Sequence, residues 1–177
     1  MRKIICFLVA TAFIFNGSAA FSQSTTVVMK AMDGTTKLSG GSTVSGHINE
    51  IDILSNSQGE SFCKGCAKPD ISSFNIMISV SPATISFKKL LLNGTKLTSV
   101  DVTYIKGGTT PVTYYIIHME NVLVENVQES ASSEAPVFSV SLTPDRIAWK
   151  QIRTAGTGAT SSYGWDLTTN TEWLYVF

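Results

Sequence analysis

Charge and metal-binding chemistry are scarce in this chain of 177 residues. Charged residues make up only 15% of it, with basic and acidic side chains equal in number. The basic ones are scattered, and no run exceeds two residues, as at Arg2-Lys3 and Lys88-Lys89. A nucleic-acid partner needs a basic patch or stripe, and none is present. There are two histidines, His47 and His118, far apart in sequence, so a histidine-rich metal site is excluded. No G-x-S-x-G occurs, and no glycine-rich loop with a following Lys introduces a helix, which removes the usual signatures of α/β hydrolases and phosphate-binding enzymes. Proline is limited to five positions and no apolar run is long enough for a stable membrane span, which takes roughly 20 residues. No internal repeat is found.

What is present begins with Met1-Arg2-Lys3, the apolar stretch Ile4 to Phe15, and the small residues Gly17 to Ala20 and Ser22. This is the pattern of a cleaved signal peptide over residues 1–22, with cleavage after Ser22 or after Ala20. The expectation is export to the periplasm or beyond, with no membrane attachment after cleavage. Arg2 and Lys3 leave with this segment, so residues 23–177 are slightly acidic. They suffice for one domain with a real core.

The remainder is rich in Thr, Ser, Val and Ile with period-two alternation, the mark of an all-β domain. Strands are expected at Thr25 to Met32, His47 to Ser55, Ile71 to Ser79, Leu97 to Lys106, Val112 to Met119, Asn121 to Gln128, Pro136 to Thr143, Arg146 to Arg153 and Tyr163 to Asn170. Asp33 to Gly46, Asn56 to Asp70, Gly107 to Thr109, Ser130 to Glu134 and Thr154 to Ser162 read as connections, and Trp173 to Phe177 as an apolar tail. Phe74, Ile76, Ile78 and Val80 share one strand face, as do Phe138, Val140 and Leu142. One helix stands out. Ser81 suits its N-cap and Pro82 its first turn, Ala83, Phe87, Leu90 and Leu91 form its apolar side, and Asn93-Gly94 stops it. One short helix among about eight strands predicts an antiparallel β-barrel, whose closure removes exposed sheet edges.

Few groups could carry chemistry. Cys6 lies in the signal segment, leaving Cys63 and Cys66 in the Cys-Lys-Gly-Cys sequence. In an oxidising compartment a local disulfide is the default. A redox site would need the first Cys at a helix N-terminus, and a zinc site two further ligands. His118, beside Met119 in an apolar strand, suits a hydrogen-bonded or interface histidine. Glu50 and Asp52 share a strand face and read as solvated surface charge. Trp165 is expected in the core or an interface, and Asp166 at a turn or beside a basic group; with Phe87 these are structural residues. No catalytic, cofactor-binding or metal-binding residue is identified, and an enzyme is not expected.

The succession GHINEIDILSNSQG, ISVSPATISFKKLLLNGTKLTSVDVTYIKGG, YYIIHMENVLVENV, FSVSLTPDRIAWKQI and YGWDLTTN, from about His47 to Asn170, resembles the Hcp family, the tube proteins of bacterial type VI secretion. The resemblance implies a β-barrel with a flanking helix and a ring-forming structural protein, whose hexamers stack into a tube with effector cargo in the lumen. Its implied partners are further copies of the chain, protein cargo and secretion components. The signal-like N-terminus, the Asp33 to Gly46 loop and the Cys-Lys-Gly-Cys insertion depart from the family pattern. They leave open a second reading, a secreted monomeric binding module on the same barrel.

Overall fold

The computed structural model describes residues 24–107, 110–131, 135–153 and 160–177. The expected signal peptide lies outside them, as do parts of three expected connections. The strands are β1 (Thr25–Asp33), β2 (Thr36–Lys37), β3 (Ile51–Ser57), β4 (Glu60–Ser61), β5 (Asp70–Ile71), β6 (Phe74–Ser79), β7 (Leu97–Lys106), β8 (Val112–Ser130), β9 (Val137–Thr143), β10 (Arg146–Gln151), β11 (Ser161–Asp166) and β12 (Thr171–Glu172). The helix α1 (Pro82–Asn93) separates β6 from β7.

Ten strands form one antiparallel sheet, and β8, β7, β1, β3, β6 and β9 close it into a barrel when β9 returns to β8. From the first half of β8 the sheet also extends outward through β10, β11 and β12. β4 and β5 pair only with each other, as a separate ribbon.

Period-two alternation becomes burial directly. Phe74, Ile76 and Ile78 of β6 face Leu142, Val140 and Phe138 of β9 across the ladder, and all six are buried. Val80, expected on the same face, lies beyond the strand end and is exposed. Four other expectations need correction. Val112 to Met119 and Asn121 to Gln128 are not two strands but one of 19 residues. Asn121 takes a positive φ of 50° and the pairing slips near Val124 to Asn126, so the chain bends without leaving the sheet. His47 to Glu50 are turn rather than strand, with β3 beginning at Ile51. Ile71 belongs to the ribbon and not to the strand that follows. The last core strand stops at Asp166, and a turn leads to β12.

The helix lies against β8 and buries Ala83, Thr84, Phe87 and Leu90. Ser81 precedes it, but its hydroxyl makes no capping bond; Thr84 Oγ1 instead donates to the Ser81 carbonyl at 2.7 Å. Gly94 closes the helix in the left-handed region at φ 64°, and the amides of Gly94 and Thr95 return to the carbonyls of Leu91 and Leu90. Lys88 reaches Glu129 of β8 at 2.7 Å, an exposed pair that adds little. The fixing element is Phe87, fully buried in the core cluster.

Phe87→Ala is expected to cost roughly 3–5 kcal/mol, because it leaves a cavity that the closed barrel cannot collapse. Leu92→Ala, on the exposed side of the same helix, is expected to change stability by less than about 0.5 kcal/mol. Urea unfolding of both variants checks this; equal losses would show that the helix is not anchored through Phe87.

Candidate functional site

The extension formed by β8, β10 and β11 brings together His118, Trp165 and Asp166 of the residues singled out by the sequence, and it has two faces. Alternation assigns them. Tyr115, Trp149, Tyr163 and Trp165 point to one side, and His118, Glu120, Arg146, Gly164 and Asp166 to the other.

On the second face Asp166 is buried at the end of β11. Its carboxylate accepts from the Thr168 hydroxyl at 2.6 Å, the amides of Thr168 and Thr169 at 2.9 and 3.0 Å, and Arg146 Nε at 2.7 Å. The local sequence explains this: Asp followed by Leu-Thr-Thr lets the side chain bond its own backbone two and three residues on, forming the turn into β12. The Thr168 hydroxyl, then the Thr169 amide, then the Arg146 guanidinium hold the carboxyl well below the usual carboxylate range, against the effect of burial. Arg146 also reaches Glu120 at 3.4 Å. His118 is buried, with Nδ1 bonded to Asp101.

The chain after β12 covers this charged strip. Tyr175 stacks on the His118 ring at 4.0 Å, the Arg146 guanidinium lies over Trp173 at 5.6 Å, and Lys150 over Phe177 at 5.3 Å. Each contact places a π face against a cationic or imidazole group. The tail alternates too, so Leu174 and Val176 point away and are 88% and 85% exposed. Gly164 makes the close approach workable: a Cβ there would sit 2.4 Å from the Trp173 carbonyl oxygen, and the Trp173 amide donates to the Gly164 carbonyl at 2.9 Å.

On the first face the β4–β5 ribbon leans over the aromatic residues. Glu60, Pro69, Ile71, Tyr115, Trp149, Tyr163 and Trp165 line an open cleft of about 480 Å³. Trp165 is half-buried and packs on the core. Cys63 and Cys66 lie at the ribbon tip with Cα atoms 5.3 Å apart, within reach of a disulfide. The chain after Cys66 runs into β5 and not directly into a helix.

The structure leaves the other candidates apart. His47 Nδ1 contacts Glu50 at 2.8 Å, and Glu50 is buried. This corrects the expectation of a solvated carboxylate: the turn at His47 to Glu50 folds the histidine back onto it. Asp52 is exposed. Among the described residues no cluster of three or more His, Cys, Asp or Glu could hold a metal, and no helix is long and apolar enough to cross a membrane. Sequence reasoning missed the tail's role, although its Trp-x-Tyr-x-Phe alternation signalled a covered face.

Because the folded Asp166 carboxyl titrates below its unfolded value, the folded chain holds fewer protons between the two. Its stabilisation is complete above the unfolded pKa of about 4 and is lost as pH falls through the folded value. Asp166→Asn should therefore melt below the parent protein at neutral pH, with the gap narrowing as pH is taken from about 5 to about 2. A gap that stays constant over that range would remove the charge from the explanation.

Comparison with known proteins places this geometry. Residues 28–151 match the model of a family described as "Type VI secretion system effector, Hcp". The fold is shared with Hcp1 from Salmonella typhimurium at a TM-score of 0.71 and 20% identity, over 84% of this chain and 99% of that one. A structure described as a type six secretion system protein aligns with a TM-score of 0.74 at 16% identity, over 85% and 100%. A type VI secretion system effector from Yersinia pestis aligns at 0.66 with 18% identity, over 79% and 98%. No curated protein matches the chain.

Proposed function

The chain belongs to the Hcp family of type VI secretion proteins, and on that premise we propose that it works by assembly rather than catalysis, as the subunit of a hexameric ring. The observation that carries this reading is the family match, which spans the strands that close the barrel. A head-to-tail ring needs two different patches on each subunit. Exposed apolar residues occur on two separate elements that could supply them, Ile85 and Leu92 on α1 and Leu174 and Val176 on the tail. In this reading the rings stack and their lumen holds effector proteins.

The proposal includes export through residues 1–22 and a Cys63–Cys66 disulfide closing the ribbon tip. The two belong together, since a structural disulfide persists in an oxidising compartment. So small a loop removes little chain entropy from the unfolded state, so its effect is to shape the ribbon.

Light scattering coupled to size-exclusion chromatography on the purified protein should give a hexameric mass. A monomer at high concentration would rule out the ring and favour a secreted monomeric binding module. For the cysteines, thiol labelling of the unfolded exported protein without reductant should leave Cys63 and Cys66 unmodified, with both labelled after reduction. Labelling of both without reductant would rule out the bond.

A further inference from the structure

The cleft beneath the β4–β5 ribbon is lined by aromatic side chains and a single carboxylate. One wall comes from the ribbon: Glu60 and Ile71 are direct partners across its ladder, so their side chains project to the same side, and Pro69 follows that alternation. The other wall comes from the sheet. Trp149 and Tyr163 are cross-strand partners, Trp165 lies two residues beyond Tyr163, and Tyr115 lies two before Ile117, the partner of Trp149. The Tyr163 and Trp165 rings are 6.5 Å apart with planes at 27°. Four aromatic rings thus line one side, and the volume of about 480 Å³ falls within the range of small-ligand sites.

Glu60 is the one charged group in this lining. Among the described residues it forms no ion pair. Its charge is felt across the cleft: burial first, then Tyr104 and Glu60, push the Tyr115 phenol up. Several π faces and a single carboxylate, without a basic neighbour in the lining, favour a cation with an apolar shell. A neutral guest would gain nothing from the carboxylate, which stands exposed to water. An anion would meet repulsion, and a sugar would find few directed polar partners.

We propose that this cleft binds a small alkylated ammonium group of the trimethylammonium type. The rings of Trp149, Tyr163 and Trp165 contact the N-methyl groups, Tyr115 closes the floor, and Glu60 supplies the counter-charge. Free choline and the head group of a choline lipid share this chemistry. The site goes beyond the ring proposal and does not depend on it.

Calorimetric titration of the full chain with choline, and with the neutral isostere in which carbon replaces nitrogen, tests the charge requirement directly. Choline should bind with a dissociation constant of about 1 mM or tighter, at least tenfold tighter than the isostere. Glu60→Gln, on an exposed strand, should weaken choline binding about tenfold while leaving the isostere unchanged. Trp149→Leu should abolish binding, and circular dichroism shows whether that variant is folded. Cosedimentation with phosphatidylcholine vesicles, competed by choline, identifies the lipid as the source; binding of choline without cosedimentation identifies the free cation. Equal affinity for choline and the isostere, no binding of choline, or unchanged choline binding by folded Glu60→Gln would each overturn the proposal. Binding of an oligosaccharide of glucose in place of choline would overturn it as well.

Discussion

Strand β8 is hydrogen-bonded along both edges, and the remaining architecture depends on that double pairing. β7 takes one edge of its first half, while β10 and then β9 occupy the other edge along its length. The barrel closes only because the second half reaches β9, and the outward extension exists only because the first half holds β10. A strand of 19 residues can serve both only if it bends. Asn121 supplies the bend with a backbone conformation that Asn tolerates better than most residues. Pro144 and Asp145 interrupt the facing chain at the same level, where the Asp145 amide donates to the Glu120 carbonyl at 3.1 Å. Both sides of the ladder turn together, so pairing survives the corner.

The extension that follows is a thin sheet with different chemistry on each side. Its charged strip would be costly beneath an apolar cover if the charges lacked partners. Here Asp166 is saturated by the hydroxyl, two amides and a guanidinium, and His118 and Arg146 meet rings rather than aliphatic carbon. The opposite side carries the large aromatic surface that the ribbon roofs. β11 is common to both, so the turn held by Asp166 sets the position of Trp165 and Tyr163 as well as the path of the tail.

Much of the barrel was legible because burial on one side writes itself as alternation. Phe74-Ile76-Ile78 and Phe138-Val140-Leu142 are plain in the sequence and pair directly in space. The helix was legible through Pro82 and Gly94. Glu120-Asn121 misled, because Asn beside a charge has the composition of a turn, and only the presence of partners on both edges keeps the chain extended there. Glu50 misled for a similar reason: its burial depends on a turn four residues long that brings back His47. The tail's alternation was legible but its partners were not. Trp173, Tyr175 and Phe177 pack on His118, Arg146 and Lys150, residues that a hydrophobic pattern assigns to solvent. The cleft was hardly legible: only Trp165 stood out in the sequence, and the ribbon that completes the site lay hidden inside a polar connection.

That ribbon has a consequence for how the chain can change. β4 and β5 share no ladder with the barrel, and the Gly59 amide donating to Ser72 Oγ at 2.8 Å closes the base of the ribbon on itself. A one-residue slip of a barrel strand would turn that strand's core side chains outward, but residues added or removed at the ribbon tip leave the barrel register untouched. Gln58 to Ser73 therefore forms a modular arm, where length and composition can diversify between relatives while the closed barrel stays constant.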